Sequence, residues 1–223
     1  MIYQPQKLII IGDSCVYGWG DIEEGGWSER LRQTWIRQTN SPIVYTLGVR
    51  GDGLEKVARR WRSEWECRGE LRRTFPDGMI IAVGLNDTAR IGRETGRPQL
   101  SSEAFRFGLI QMLKEIKKVT SVMVVGLTAV DESAMPFAEC LWYSNKSSAL
   151  YEAQIEEACL DVDIPFLPIF KSFTRDENWK RLLGPDGIHL NTEGHRWMYN
   201  KLISWPILLK WANLQLVKQT SNY

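Results

Sequence analysis

What most restricts the fold of this chain is a rhythm. Four apolar runs of strand length, KLIII (7–11), IVYTL (43–47), MIIAV (79–83) and VMVVGL (122–127), recur along it, rich in β-branched residues and bounded by glycine or polar residues. IPFLPI (164–169) is a weaker fifth run, whose Pro165 and Pro168 remove ladder donors and suit an edge position. Segments of helical period lie between the runs. In 54–66, Leu54, Val57, Ala58, Trp61 and Trp65 share one face. In 102–118, Ser102 stands where a cap belongs, and Phe105, Leu109, Met112, Leu113 and Ile116 form the stripe. Segments 27–39, 146–160 and 192–204 read alike. Strands apolar on both faces must be covered on both, which predicts an α/β fold with a parallel sheet between helical layers. No repeat, low-complexity tract or linker interrupts the pattern, so one domain over 1–223 is expected.

The charge balance excludes several function classes. Lys+Arg 28 against Asp+Glu 27 gives a net charge of +1, with no basic surplus for nucleic acid or for a membrane surface. One stretch, EKVARRWRSEWECRGELRR (55–73), interleaves arginine with tryptophan. Its tryptophans fall on the apolar face, and Glu55–Arg59 and Glu64–Arg68 are spaced as i,i+4 pairs, so a solvated helix face is expected. No run approaches the roughly 20 apolar residues of a membrane span, and Lys7 interrupts what would otherwise resemble a signal peptide. Cys15, Cys67, Cys140 and Cys159 lack metal-type spacing and read as reduced thiols of a cytoplasmic protein.

Open parallel sheets carry their sites at the carboxyl ends of the strands. After the first run comes Gly12-Asp13-Ser14, after the second GVRGDG (48–53), and after the third GLND (84–87). GPDGIHLNTEGH (184–195) holds the chain's two histidines. Singly these are weak signals: Ser14 and Asn86 could cap helices, and Gly51 could serve a turn. Together they contain the parts that acyl transfer to serine needs. A serine hydroxyl requires a base; His189 has Asp186 three residues earlier, close enough to reach its Nδ1 and fix its tautomer. His195 has no acid so placed and reads as structural. The amides of Ser14 and Gly51 and the side chain of Asn86 would supply donors for an oxyanion from three strand ends.

With these residues in view, the sequence resembles the SGNH hydrolase (GDSL esterase/lipase) superfamily. Its four motif blocks read here as GDSCVYG (12–18), GVRGDG (48–53), GLND (84–87) and DGIHLN (186–191). The resemblance spans nearly the whole chain. It implies a flavodoxin-like three-layer α/β/α sandwich with a five-stranded parallel sheet, and a hydrolase of acyl esters that needs no cofactor. It implies Ser14 as nucleophile, His189 as base, Asp186 as its orienting acid, and Ser14, Gly51 and Asn86 as the oxyanion hole. Gly51 is preferred to Gly48 because the family's glycine directly precedes an acidic residue. Two positions depart from the family: Cys15 replaces the usual leucine, and Gly53 the usual threonine or serine.

Rival readings follow from the same residues. Cys15 could attack in place of Ser14. Asp13, Asp87, Asp186 and His189 could hold a metal. The fold could also serve as a catalytically silent carbohydrate- or partner-binding module. The expected partner is a small acyl ester, and self-association stays open. Segments 88–99, with Arg90, Arg93 and Arg97, and 128–147, with Met135, Phe137, Leu141, Trp142 and Tyr143, are expected to wall the cleft or to be surface loops. The stretch 207–217 is amphipathic enough to pack on the domain or on another subunit.

Overall fold

A computed structural model of the protein describes residues 5–38, 41–69 and 74–214. The elements run β1 (Lys7–Gly12), α1 (Ser14–Tyr17), α2 (Trp27–Ile36), β2 (Ile43–Gly48), α3 (Leu54–Glu66), β3 (Gly78–Ala82), α4 (Leu85–Thr88), β4 (Arg90–Ile91) and α5 (Ser102–Lys117). They continue with β5 (Ser121–Val125), β6 (Leu141–Trp142), α6 (Asn145–Asp161), β7 (Phe166–Leu167), α7 (Phe170–Phe173), α8 (Thr192–Ile203) and α9 (Pro206–Trp211). A five-stranded sheet has the order β2-β1-β3-β5-β7, every pairing parallel. The three-layer α/β/α architecture is therefore present.

Alternation along each strand builds two cores. Ile9, Ile11, Met79, Ile81, Val122 and Val124 face α3, α5 and α6, while Leu8, Ile10, Ile80, Met123 and Val125 face α2, α8 and α9. All six residues of β1 are buried, as a central strand covered on both sides must be.

Several boundaries differ from expectation. The fifth run pairs over Phe166–Leu167 alone, at the sheet edge, because Pro165 and Pro168 confine its ladder. Ser101, not Ser102, caps α5, accepting from the Ala104 amide at 3.2 Å. Glu64 on α3 pairs with Arg68 just past the helix end, but Glu55 and Arg59 make no ion pair among the described residues. Arg60 is the cation that turns inward, to Asp52 at 2.9 Å. Part of the C-terminal amphipathic stretch forms α9; its residues 215–217, like 70–73 of the arginine-rich stretch, lie outside the described residues. No helix among the described residues is long and apolar enough to cross a membrane.

Candidate active site

Strand β1 ends where Asp13 caps α1, its carboxylate accepting from the Cys15 amide at 2.9 Å. This cap puts Ser14 at the first helical position, directly above the sheet, with its N–H donating to no acceptor among the described residues. Helix α1 can settle against β2 because residue 48 is glycine: a Cβ there would lie 2.0 Å from the Tyr17 nitrogen.

On the far side of the site, the turn before α8 folds Asp186 back on His189. One Asp186 oxygen accepts from the amides of Ile188 and His189, both at 3.0 Å, and the other meets His189 Nδ1 at 2.6 Å. His189 Nε2 lies 2.9 Å from Ser14 Oγ. Burial alone would raise the Asp186 pKa. The bonds from the His189 ring and the two amides outweigh it and hold the carboxyl at about 2. The structure thus brings Ser14, His189 and Asp186 into one hydrogen-bonded line.

The other two motif residues flank Ser14. Gly51 follows β2, which pairs with β1 so that Gly48 faces Gly12. Its φ of +76° is what requires glycine, since a Cβ there would meet no protein atom within 4 Å. Its N–H, like that of Ser14, donates to no acceptor among the described residues. Asn86 sits on α4 after β3. Its Nδ2 donates to the Asp52 carbonyl at 3.1 Å and faces Asp13 at 3.4 Å; its Oδ1 accepts from the Tyr143 hydroxyl at 3.3 Å. Both ends of the amide are therefore held.

Gly53, one of the two departures from the family pattern, has a local explanation. The Asp87 carboxylate occupies the space, 2.7 Å from where a Cβ would stand, and accepts from the Leu54 amide at the start of α3 at 3.0 Å. The acceptor for that helix end is thus supplied from α4. Burial, aided by the nearby Asp13 charge, pushes Asp87 up to about 7 despite the Leu54 bond. Burial likewise raises Asp13 to about 6.

A carboxyl raised on folding favours the protonated fold. Its stabilisation is complete below the unfolded value near 4 and is lost as pH rises through the folded value. Asp87→Asn keeps an acceptor for Leu54 and removes this titration. The melting temperature of the variant relative to wild type is expected to be higher at pH 8 than at pH 5, by ~5 °C. A scan at both pH values reads this, and a constant difference would refute it.

The half-buried Cys15 packs against the apolar layer under α2 and α8, and desolvation of its thiol with the adjacent Asp13 charge pushes it up to about 12. His195 is fully buried, with Nδ1 accepting from the Trp27 amide at 3.2 Å and Nε2 donating to the Trp19 carbonyl at 3.1 Å. Among the described residues no three His, Cys, Asp or Glu side chains converge as a cation site. Asp87 is engaged by Leu54, and Asp186 by His189.

Of the two expected walls, 128–147 reaches the centre. Phe137 stands edge-on to His189 with ring centroids 6.0 Å apart, and Tyr143 holds Asn86. The first wall turns its charge elsewhere: Arg90 bonds the Gly96 carbonyl, and Arg93 and Arg97 are exposed. A pair absent from the sequence reading completes the rim. Trp19 stands edge-on to His189 at 6.3 Å, and the Arg50 guanidinium lies 3.4 Å above the Trp19 ring. Arg50 precedes Gly51, and Trp19 follows the first motif, but nothing in their spacing announces that they meet.

The sequence pattern of the GDSL-like Lipase/Acylhydrolase family matches residues 10–197. The chain belongs to that family. A GDSL esterase/lipase of Arabidopsis thaliana, CPRD49, is 19% identical over 232 residues, covering 95% of this chain and 84% of the relative. Among solved structures, a lipase/acylhydrolase from Enterococcus faecalis aligns with a TM-score of 0.73 at 18% identity, covering 96% of this chain and 99% of that one. Axe2, an acetylxylan esterase from Geobacillus stearothermophilus, aligns with a TM-score of 0.67 at 15% identity, covering 96% and 97%. This member of the GDSL-like Lipase/Acylhydrolase family is thus a hydrolase of ester bonds, on the five-stranded parallel sheet expected of it.

Proposed function

We propose that this GDSL-family hydrolase cleaves small carboxylic esters through an acyl-enzyme on Ser14, the chain of 223 residues acting as one domain. The observation that carries the reading is the unbroken line from Asp186 through His189 to Ser14 Oγ, with contacts of 2.6 and 2.9 Å. His189 Nδ1–H donates to Asp186, so the unprotonated Nε2 faces the hydroxyl and takes its proton as Oγ attacks the ester carbonyl carbon. The carbonyl π electrons move to oxygen. The resulting oxyanion is received by the N–H groups of Ser14 and Gly51, both free of other acceptors among the described residues, and by the Asn86 Nδ2 hydrogen that leaves its long 3.4 Å contact with Asp13 while the other stays on the Asp52 carbonyl. One such donor is commonly worth ~10²–10³ in kcat.

Collapse of the tetrahedral adduct breaks the bond to the alcohol oxygen, which leaves with the proton from His189. Water then attacks the acyl carbon as His189 accepts its proton. The second collapse returns that proton to Ser14 Oγ and frees the carboxylic acid. Cys15 takes no part: its thiol stays protonated, and His189 is bonded to the serine. The four free cysteines fit a reducing, cytoplasmic setting.

Incubation with a p-nitrophenyl alkylphosphonate is expected to release one equivalent of p-nitrophenol and to leave the phosphonyl group on the peptide containing Ser14, at that residue. Full ester hydrolysis after such treatment, or a label on Cys15, would overturn the reading.

A further inference from the structure

We infer that this site selects acetyl esters, measuring the acyl chain closely and leaving the alcohol room; the inference rests on the Ser14 reading above. The recess where Ser14, His189 and Asn86 meet holds about 20 Å³ and ends against Cys15, Leu85, Thr128 and Ile188. A recess this shallow, closed by those four side chains, suits a short acyl group and not a long chain. Behind it lies a second hollow of about 30 Å³, reaching to Trp27 and Met198. Asp13, Cys15, Leu85 and Thr128 line both spaces and so form the partition between them.

The three substituents of the attacked carbon are sorted by the groups around it. The carbonyl oxygen turns to the donors at Ser14, Gly51 and Asn86. The leaving oxygen must face His189 Nε2, whose ring is flanked by Trp19 and Phe137. The remaining substituent, the acyl chain, is directed at Leu85 and Thr128. The Gly51 side is open, with no protein atom within 4 Å of its Cβ direction, and Trp19 and Arg50 on that rim are exposed. A long alcohol can lie there without displacing anything. A chain longer than acetyl must displace the side chains of the partition, which offsets the usual gain from burying methylenes. A roomier hollow of about 530 Å³ lies by Ser121, Pro165 and Trp211, at the amino end of β5, and cannot extend the recess.

The test holds the leaving group constant. Hydrolysis of p-nitrophenyl acetate, butyrate, hexanoate and octanoate is measured with the purified protein and its Ser14→Ala variant. The kcat/KM is expected to fall at least tenfold from acetate to butyrate, and further along the series. In Leu85→Ala, which opens the partition into the second hollow, the butyrate-to-acetate ratio of kcat/KM is expected to rise tenfold or more. Because it is a ratio, it does not depend on how much of the variant is folded. A flat or rising profile, or a ratio unmoved in Leu85→Ala, overturns the acetyl assignment. If the flat profile nonetheless vanishes in Ser14→Ala, the Ser14 reading stands alone. Turnover of no ester, or turnover that survives Ser14→Ala, overturns both.

Discussion

Ser14→Ala is expected to lower kcat on p-nitrophenyl acetate by ~10⁴–10⁶-fold, the scale seen when a serine hydrolase loses a nucleophile acting in concert with its base. The fold should hardly notice. The hydroxyl of Ser14 has His189 as its partner, and the cap that forms the turn belongs to Asp13. The melting temperature should therefore stay within a few degrees of wild type, and the phosphonate label should disappear. Cys15→Ala is the matched control: it removes a protonated thiol beside the serine and is expected to keep turnover within several-fold. Loss of activity in Cys15→Ala with retention in Ser14→Ala would reverse the assignment.

Asp186→Asn is expected to cost ~10⁴-fold in kcat with KM little changed. The substitution keeps an oxygen for the amides of Ile188 and His189 while placing an NH₂ against His189 Nδ1. Two donors cannot face each other, so the ring turns to the tautomer whose Nε2 carries the hydrogen. The base is then blocked although every heavy atom has stayed in place. Because Asp186 is held at about 2, it is ionised through the working pH range of the wild type. The loss in the variant should therefore be present at neutral pH, without acidification. Retention of a tenth or more of wild-type kcat would show that this carboxylate does not set the tautomer.

The central strands were legible because burial on both faces leaves an unambiguous mark: β1, β2, β3 and β5 depart from the expected runs by a residue or two at their ends. Short elements were not. Helices α1 and α4 have four residues each, too few for a periodic pattern, and are made by a strand end and a cap or turn. The pairing of Arg90–Ile91 with Leu141–Trp142 joins segments fifty residues apart and had no local signal. In the site, Asp186 and His189 were legible from their spacing, because a three-residue turn decides that contact. The support of Asn86 by Tyr143, the stacking of Arg50 on Trp19 and the capping of α3 by Asp87 are contacts between distant elements. Only the folded chain sets them.

One of these long-range contacts bears on how the site keeps its shape while the molecule moves. His195 lies on the same α8 whose cap, Asn191, comes two residues after His189, and it grips the backbone of Trp19 and Trp27. Ser28, next along, donates to the Val16 carbonyl of α1 at 2.6 Å. The segment bearing the serine and the segment bearing the base are thereby fastened to a single buried ring, though 175 residues of chain separate the two side chains. A displacement of α8 is therefore passed through the His195 ring to the backbone at Trp19 and Trp27, on the serine's side of the site.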